Sequence, residues 1–226
     1  MIVAIDGPAG AGKGTVSLAL AEALGFQYVD TGALYRATAL LCRERGVDWD
    51  DDAAAGAVAE TVRPRFAVID GVNRLSLETE QGTRDVTADI RTPEVSEGAS
   101  VVASQPAVRA ALLGVQRALA TSSDVVMEGR DIGTVVFPAA ELKVFLTASV
   151  DERARRRWLQ ATKRGDTVCL EDVRAAIVSR DERDAGRAVA PLRRAPDARE
   201  LDATALSVEE AVSRLVIWAD AVRQSN

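Results

Sequence analysis

The stretch Ile2-Val3-Ala4-Ile5-Asp6-Gly7-Pro8-Ala9-Gly10-Ala11-Gly12-Lys13-Gly14-Thr15 decides the fold of this 226-residue chain. Ile2 to Asp6 is a short apolar run with the look of a buried parallel strand. From Gly14 to Leu24 apolar residues recur at Val16, Leu20 and Leu24, and Gly25 follows as a helix stop. Between strand and helix, Gly7, Pro8, Ala9, Gly10, Ala11, Gly12 and Lys13 match G-x-x-x-x-G-K, with Gly14 and Thr15 completing the loop. This is the context the phosphate-loop motif requires. Backbone N–H groups must turn inward around phosphate oxygens, and side chains would block the approach. The helix N-terminus adds positive partial charge at the same place, and Lys13 adds a mobile cation.

Working outward, Phe26 to Asp30 reads as a second strand and Ala33 to Arg45 as a second helix closed by Gly46. Past Asp48 the character changes. An alanine-rich helical stretch leads to two strand-like pieces, Phe66 to Ile69 and Leu75 to Glu78, around the turn signal Asp70-Gly71. This local antiparallel unit is expected to be an insertion, from about residue 60 to residue 97. Val101 to Thr121 reads as helical again. Val125 to Glu128 and Lys143 to Thr147 read as buried strands. Ser149 with Glu152 opens a helix in the capping-box pattern, another starts near Leu170, Leu201 to Ala203 is a last strand, and Ser207 with Glu210 caps a final helix. Strands alternating with helices imply an α/β fold, a parallel sheet with helices on both faces.

Composition narrows the chemistry. The charged share is 27%, the hydrophobic share 47% and the net charge −6, ordinary for a globular protein and unlike the basic footprint of a general nucleic-acid binder. Cys42 and Cys169 are far apart with no CxxC pattern, so neither a zinc site nor a disulfide framework is expected. Met1 runs straight into an apolar strand, unlike a signal peptide, and no apolar run is long enough for a bilayer, so a cytoplasmic location is expected. Histidine is absent. Any chemistry must therefore use carboxylates, Lys, Arg, hydroxyls, backbone amides or a metal carried in by the substrate.

Three further stretches lie where ligands bind in such folds, at the carboxyl ends of strands or near them. In Asp30-Thr31-Gly32-Ala33-Leu34-Tyr35-Arg36, Thr31 is either a helix cap or a ligand contact, and Arg36 sits about one turn inside the helix. In Glu128-Gly129-Arg130-Asp131-Ile132-Gly133-Thr134, two glycines flank an Arg-Asp pair, which is either a local ion pair or a ligand-facing one. Glu128 is placed to steer magnesium through water. Val173, Ile177, Arg180, Asp184 and Arg187 recur at helical spacing, so one stripe turns from apolar to charged along its length. Its charged end is either a solvated ion-pair face or a phosphate contact, and arginine's planar fork suits the second.

These residues together resemble bacterial cytidylate kinase, a nucleoside-monophosphate kinase family. The G-K-G-T form at Gly12 to Thr15 resembles such kinases more than GTPase switch proteins. The D-T-G-A-L-Y-R, G-A-S-V-V-A, G-R-D-I-G-T-V-V-F-P and R-D-E-R-D-A-G-R-A-V-A-P-L runs follow in the family's order over nearly the whole chain. The resemblance implies a single P-loop nucleoside-monophosphate kinase domain with a five-stranded parallel sheet flanked by helices. It implies an inserted monophosphate-binding subdomain at about 60–97 and a short arginine-rich lid at about 155–187. The implied reaction moves the γ-phosphoryl group of ATP, with Mg²⁺, to CMP or dCMP in a monomer that needs no nucleic acid or membrane. By matching positions, Ser100, Arg109 and Asp131 touch the cytosine. Arg36, Arg130 and Arg187 hold phosphates, Arg180 and Asp184 lie by the sugar, and Thr31 lies near the acceptor nucleotide. Lys13, Arg130 and Arg187 carry the catalysis. Position 128 is Glu where the family usually has Asp, and no metal ligand is assigned. The rivals are another small-molecule kinase (UMP, AMP or shikimate type) and a nucleotide-sensing switch, which would need no second anion site.

Overall fold

The computed structural model describes residues 1–121 and 123–225 and divides into two compact units. The first is Met1–Phe26 with Val126–Asn226, the second Gln27–Val125. Five strands, β1 (Ile2–Asp6), β2 (Gln27–Asp30), β6 (Val125–Gly129), β7 (Leu142–Thr147) and β8 (Arg199–Asp202), form the central sheet in the order β2-β6-β1-β7-β8. The registers of β1 with β7 and of β7 with β8 are parallel.

In the first unit, Val3, Ala4 and Ile5 are fully buried, as both faces of a central parallel strand must be. Helix α1 (Lys13–Leu24) leaves the phosphate loop and ends at Gly25 in the left-handed conformation. Gly7, at φ 153°, leaves β1 so close to β7 that a Cβ would lie 2.0 Å from the Leu146 carbonyl oxygen. Only glycine fits there. Helices α6 (Val150–Lys163) and α7 (Leu170–Gly186) pack together through Ala154, Val173 and Ile177, the apolar end of the stripe read from the sequence. Helix α8 (Val208–Ser225) opens with the full reciprocal box: Ser207 N–H donates to Glu210 and Glu210 N–H to Ser207 Oγ. The box at Ser149 is half made. Ser149 Oγ accepts from Glu152 N–H, but the Glu152 carboxylate is taken by Arg155 and Arg156.

In the second unit, helices α2 (Thr31–Glu44), α3 (Asp52–Ala59), α4 (Pro93–Val102) and α5 (Pro106–Ala118) share a core that includes Leu34, Leu40, Val58, Val95 and Leu112. Beside them β3 (Pro64–Ile69), β4 (Val72–Thr79) and β5 (Gly82–Asp85) form an antiparallel sheet. Asp70 and Gly71 turn it with both φ values positive, as a tight hairpin demands. The stretch 101–121 is helical in two pieces: Pro106 has no N–H to continue a helix and instead starts α5, so the chain breaks after α4. The insertion also has a third strand, β5, whose four residues are all exposed. No helix among the described residues is long and apolar enough to cross a membrane.

Candidate active site

The site in the first unit is built from strand ends. Gly12 caps α1 with no side chain, so the first amides of that helix keep their polarity for an anion. Lys13 is buried, and its Nζ donates to the Pro8 carbonyl at 2.9 Å, folding back over the loop it belongs to. Burial, then the nearby guanidiniums of Arg130 and Arg180, push its pKa down to about 7, against the pull of Glu128 and Asp6. A cation held this far below its ordinary value is one that awaits a negative partner.

Asp184 is fully buried on α7 and accepts from Arg130 Nε at 2.9 Å and from Arg187. Burial alone would raise its pKa, but the charges of Arg130, Arg187 and Arg180 hold it below the ordinary carboxylate value. One carboxylate thus gathers three arginines, and the group keeps net positive charge. The charged end of the α7 stripe is therefore a partly buried ion-pair cluster around Asp184. Arg130 pairs across the sequence with Asp184.

Several residues that sequence reasoning missed organise this unit. Arg153, on α6, is buried; it donates to the carbonyls of Ala9 and Ala148 and pairs with Asp181 at 2.6 Å. Arg156 donates to the carbonyls of Ala11 and Ala203. These two arginines hold the outward-facing carbonyls of the phosphate loop. Asp6, the last residue of β1, accepts from the backbone N–H groups of Ile132 and Gly133, both at 2.8 Å. Burial raises its pKa to about 6, opposed by those two amides. The sign follows: a raised carboxyl adds stability below its ordinary pKa and loses it as pH rises through about 6.

In the second unit, Asp30 and not Thr31 caps α2: its carboxylate accepts from Ala33 N–H and pairs with Arg36 at 2.5 Å. Thr31 is buried as the first helical residue. Ser100 on α4 is buried, and its Oγ has no hydrogen-bond partner. Arg36 Nε is likewise buried and unmatched. Such groups are rare in folded proteins and call for an explanation. Arg109 on α5 is buried, donates to the Ala103 carbonyl at 3.2 Å and lies over the Tyr35 ring at 5.6 Å. Gln116 donates to the Tyr35 hydroxyl at 3.4 Å. Tyr35 and Gln116 carried no signal in the sequence beyond their helical register.

A strand, glycine loop and helix cradling a buried lysine, with an arginine cluster beside it, define a P-loop phosphotransferase of the nucleoside-monophosphate kinase class. A family model described as cytidylate kinase matches residues 3–220. A cytidylate kinase of Stutzerimonas stutzeri (strain A1501) is 50% identical over 217 residues, covering 95% of this chain and 93% of its own. One of Geobacter sulfurreducens is 46% identical over 215 residues, covering 95% and 91%. The crystal structure of an uncharacterized protein from Eubacterium ventriosum shares the fold, with a TM-score of 0.51 at 12% identity, covering 97% of this chain and 98% of that one. The chain belongs to the cytidylate kinase family.

Proposed function

We infer that this chain transfers the γ-phosphoryl group of ATP to CMP or dCMP, giving ADP and the diphosphate, as a cytoplasmic monomer. The observation that carries the phosphotransfer is the buried Lys13, held at a pKa near 7 beside Arg130 and Arg180. Its family membership supplies the acceptor. The acceptor's phosphate is already mostly dianionic near neutral pH, its second pKa being about 6, so no general base is needed and the missing histidine is no obstacle. Catalysis is positioning and charge neutralisation of a spread-out negative charge.

In this reading residues 7–15 take the ATP phosphates, and Lys13, Arg130 and Arg187 meet the transferring group. Arg36 takes the acceptor phosphate, Arg180 and Asp184 the sugar, and Thr31 the acceptor nucleotide. Ser100, Arg109 and Asp131 read the cytosine: a carboxylate accepts from its amino group, an arginine donates to its ring acceptors, and a hydroxyl does either. The unmatched Ser100 Oγ supports a ligand at that position. Residues 60–97 serve as the monophosphate-binding insertion, and residues 155–187 as a lid that closes to exclude water.

When bound with the nucleotide, magnesium would supply charge neutralisation at the phosphates. Glu128, buried at the end of β6 and felt electrostatically by Lys13, is the carboxylate suited to hold it through water. Asp6 is not, because both its oxygens already bind backbone amides. A coupled ADP-release assay across CMP, dCMP, UMP, AMP and shikimate tests the assignment. CMP and dCMP should give the highest kcat/KM by at least about tenfold. A higher value for any other acceptor overturns it.

A further inference from the structure

The turn after Arg130-Asp131 is unusual. Ile132–Val136 is a single π-turn, with Asp131 in the N-cap position at φ −147° and ψ 24°. An aspartate there would ordinarily cap its own turn, yet the Asp131 side chain makes no capping bond. The first amides of any helical turn lack internal partners, and here they are buried. The cap comes from 126 and 127 residues away: Asp6 Oδ1 accepts from Ile132 N–H and Oδ2 from Gly133 N–H, each at 2.8 Å.

Two more features belong to the same arrangement. A Cβ on Gly133 would stand 3.1 Å from Lys143 Cδ, so glycine leaves room for the Lys143 side chain against the turn. Lys143, itself buried, donates to the Pro138 carbonyl and to both oxygens of Asp197, fixing the far end of the turn. Asp6 is also the residue directly before Gly7. A single side chain therefore ties the root of the phosphate loop to the loop that carries Arg130 and Asp131.

We propose that Asp6 is a positioning residue for phosphoryl transfer: by capping the Ile132–Val136 turn from β1, it sets the backbone of Arg130 and Asp131 at a fixed place relative to the phosphate loop. The proposal rests on the reading that Arg130 and Asp131 serve the acceptor nucleotide.

The test is Asp6→Asn, which keeps one acceptor for Ile132 N–H and turns an amide N–H toward Gly133 N–H, donor against donor. The variant should stay folded, bind ATP within threefold of wild type, and lose at least about thirtyfold in kcat/KM for the acceptor. In an Arg130→Ala background the same substitution should cost at least threefold less, because residues that act through one another are not additive. Gly133→Ala, which crowds Lys143 and so shifts the same turn, should show the same pattern and decides the matter if Asp6→Asn does not fold. Activity within threefold of wild type overturns the proposal, as does full additivity with Arg130→Ala. So does a parallel loss of ATP binding, which would place the role in the phosphate loop alone. The assays use whichever monophosphate the wild type turns over best. A wrong acceptor assignment then shows in the wild-type panel and leaves the comparison of variants readable.

Discussion

The two units hold their buried polar groups by different means. In the first, ion pairs dominate: Arg130 and Arg187 share Asp184, and Arg153 holds Asp181 and the Ala9 carbonyl. In the second, Arg109 is held by the Ala103 carbonyl over the Tyr35 ring, and Ser100 Oγ is buried unmatched, as Ser17 Oγ and Thr134 Oγ1 are in the first. Paired charges keep their geometry before a ligand arrives, which suits electrostatic stabilisation of a transition state. Unmatched hydrogen-bonding groups cost stability until a ligand completes them, which suits discrimination, since only the right ligand fills them. On the proposed roles, phosphate chemistry would fall to the first unit and much of the choice of acceptor to the second.

The largest effect should come from the first unit. Lys13→Ala should leave the fold intact and reduce kcat by roughly a hundredfold or more, the scale of other electrostatic stabilisers. A folded variant within a few-fold of wild type would contradict the phosphate-loop assignment. The same lysine gives a pH signature. Held at a pKa near 7, Lys13 is mostly neutral at pH 8, and bound phosphates must raise its pKa. ATP binding at pH 8 should therefore be accompanied by proton uptake at Lys13. Calorimetry in buffers of different ionisation enthalpy measures this, and Lys13→Met should reduce the uptake at pH 8.

Next comes Asp131, which belongs by sequence to the first unit and by proposed role to base selection. Asp131→Ala should lower kcat/KM for CMP more than for UMP, narrowing their ratio by at least about tenfold, or about 1.4 kcal/mol. Uracil places a carbonyl where cytosine has its amino group, so a carboxylate favours the one and repels the other. Equal losses for both substrates would return Asp131 to a structural part and leave selection to the second unit alone.

What the sequence made legible was chemistry carried by contiguous residues. The phosphate loop, the Arg36 segment and the Arg130-Asp131 pair announce themselves because glycine spacing and strand ends are local properties. Partnerships across the chain are not local. Nothing near Asp6 tells of Ile132 and Gly133, and nothing near Arg153 tells of Ala9 or Asp181. Strand β5 was equally silent: Gly82-Thr83-Arg84-Asp85 has no buried face to give a period, and backbone pairing with β4 holds it, with Arg84 tied to Glu44 and Asp89. Of the two readings of Thr31 the cap falls away: Asp30 and Thr31 are both good capping types, and the structure gives the capping position to Asp30.

The smallest expected effect tests the second unit most directly. Ser100 Oγ is buried without a partner, so Ser100→Ala removes an unmet polar group along with any contact it makes to the base. If the hydroxyl exists for the ligand, its loss should raise KM for CMP by about threefold to tenfold, the worth of one neutral hydrogen bond, with kcat little changed. Stability should move the other way. Leaving a buried hydroxyl unsatisfied costs on the order of 1 kcal/mol, so the free variant should melt at or slightly above the wild-type Tm. The two readouts together are decisive: a group kept for folding would lower Tm when removed, and a group kept for binding would not. A Ser100→Ala variant with unchanged KM and a lower Tm would show that the second unit's unmatched groups serve its own packing. The contrast between the units would then describe how they fold rather than how they divide the reaction.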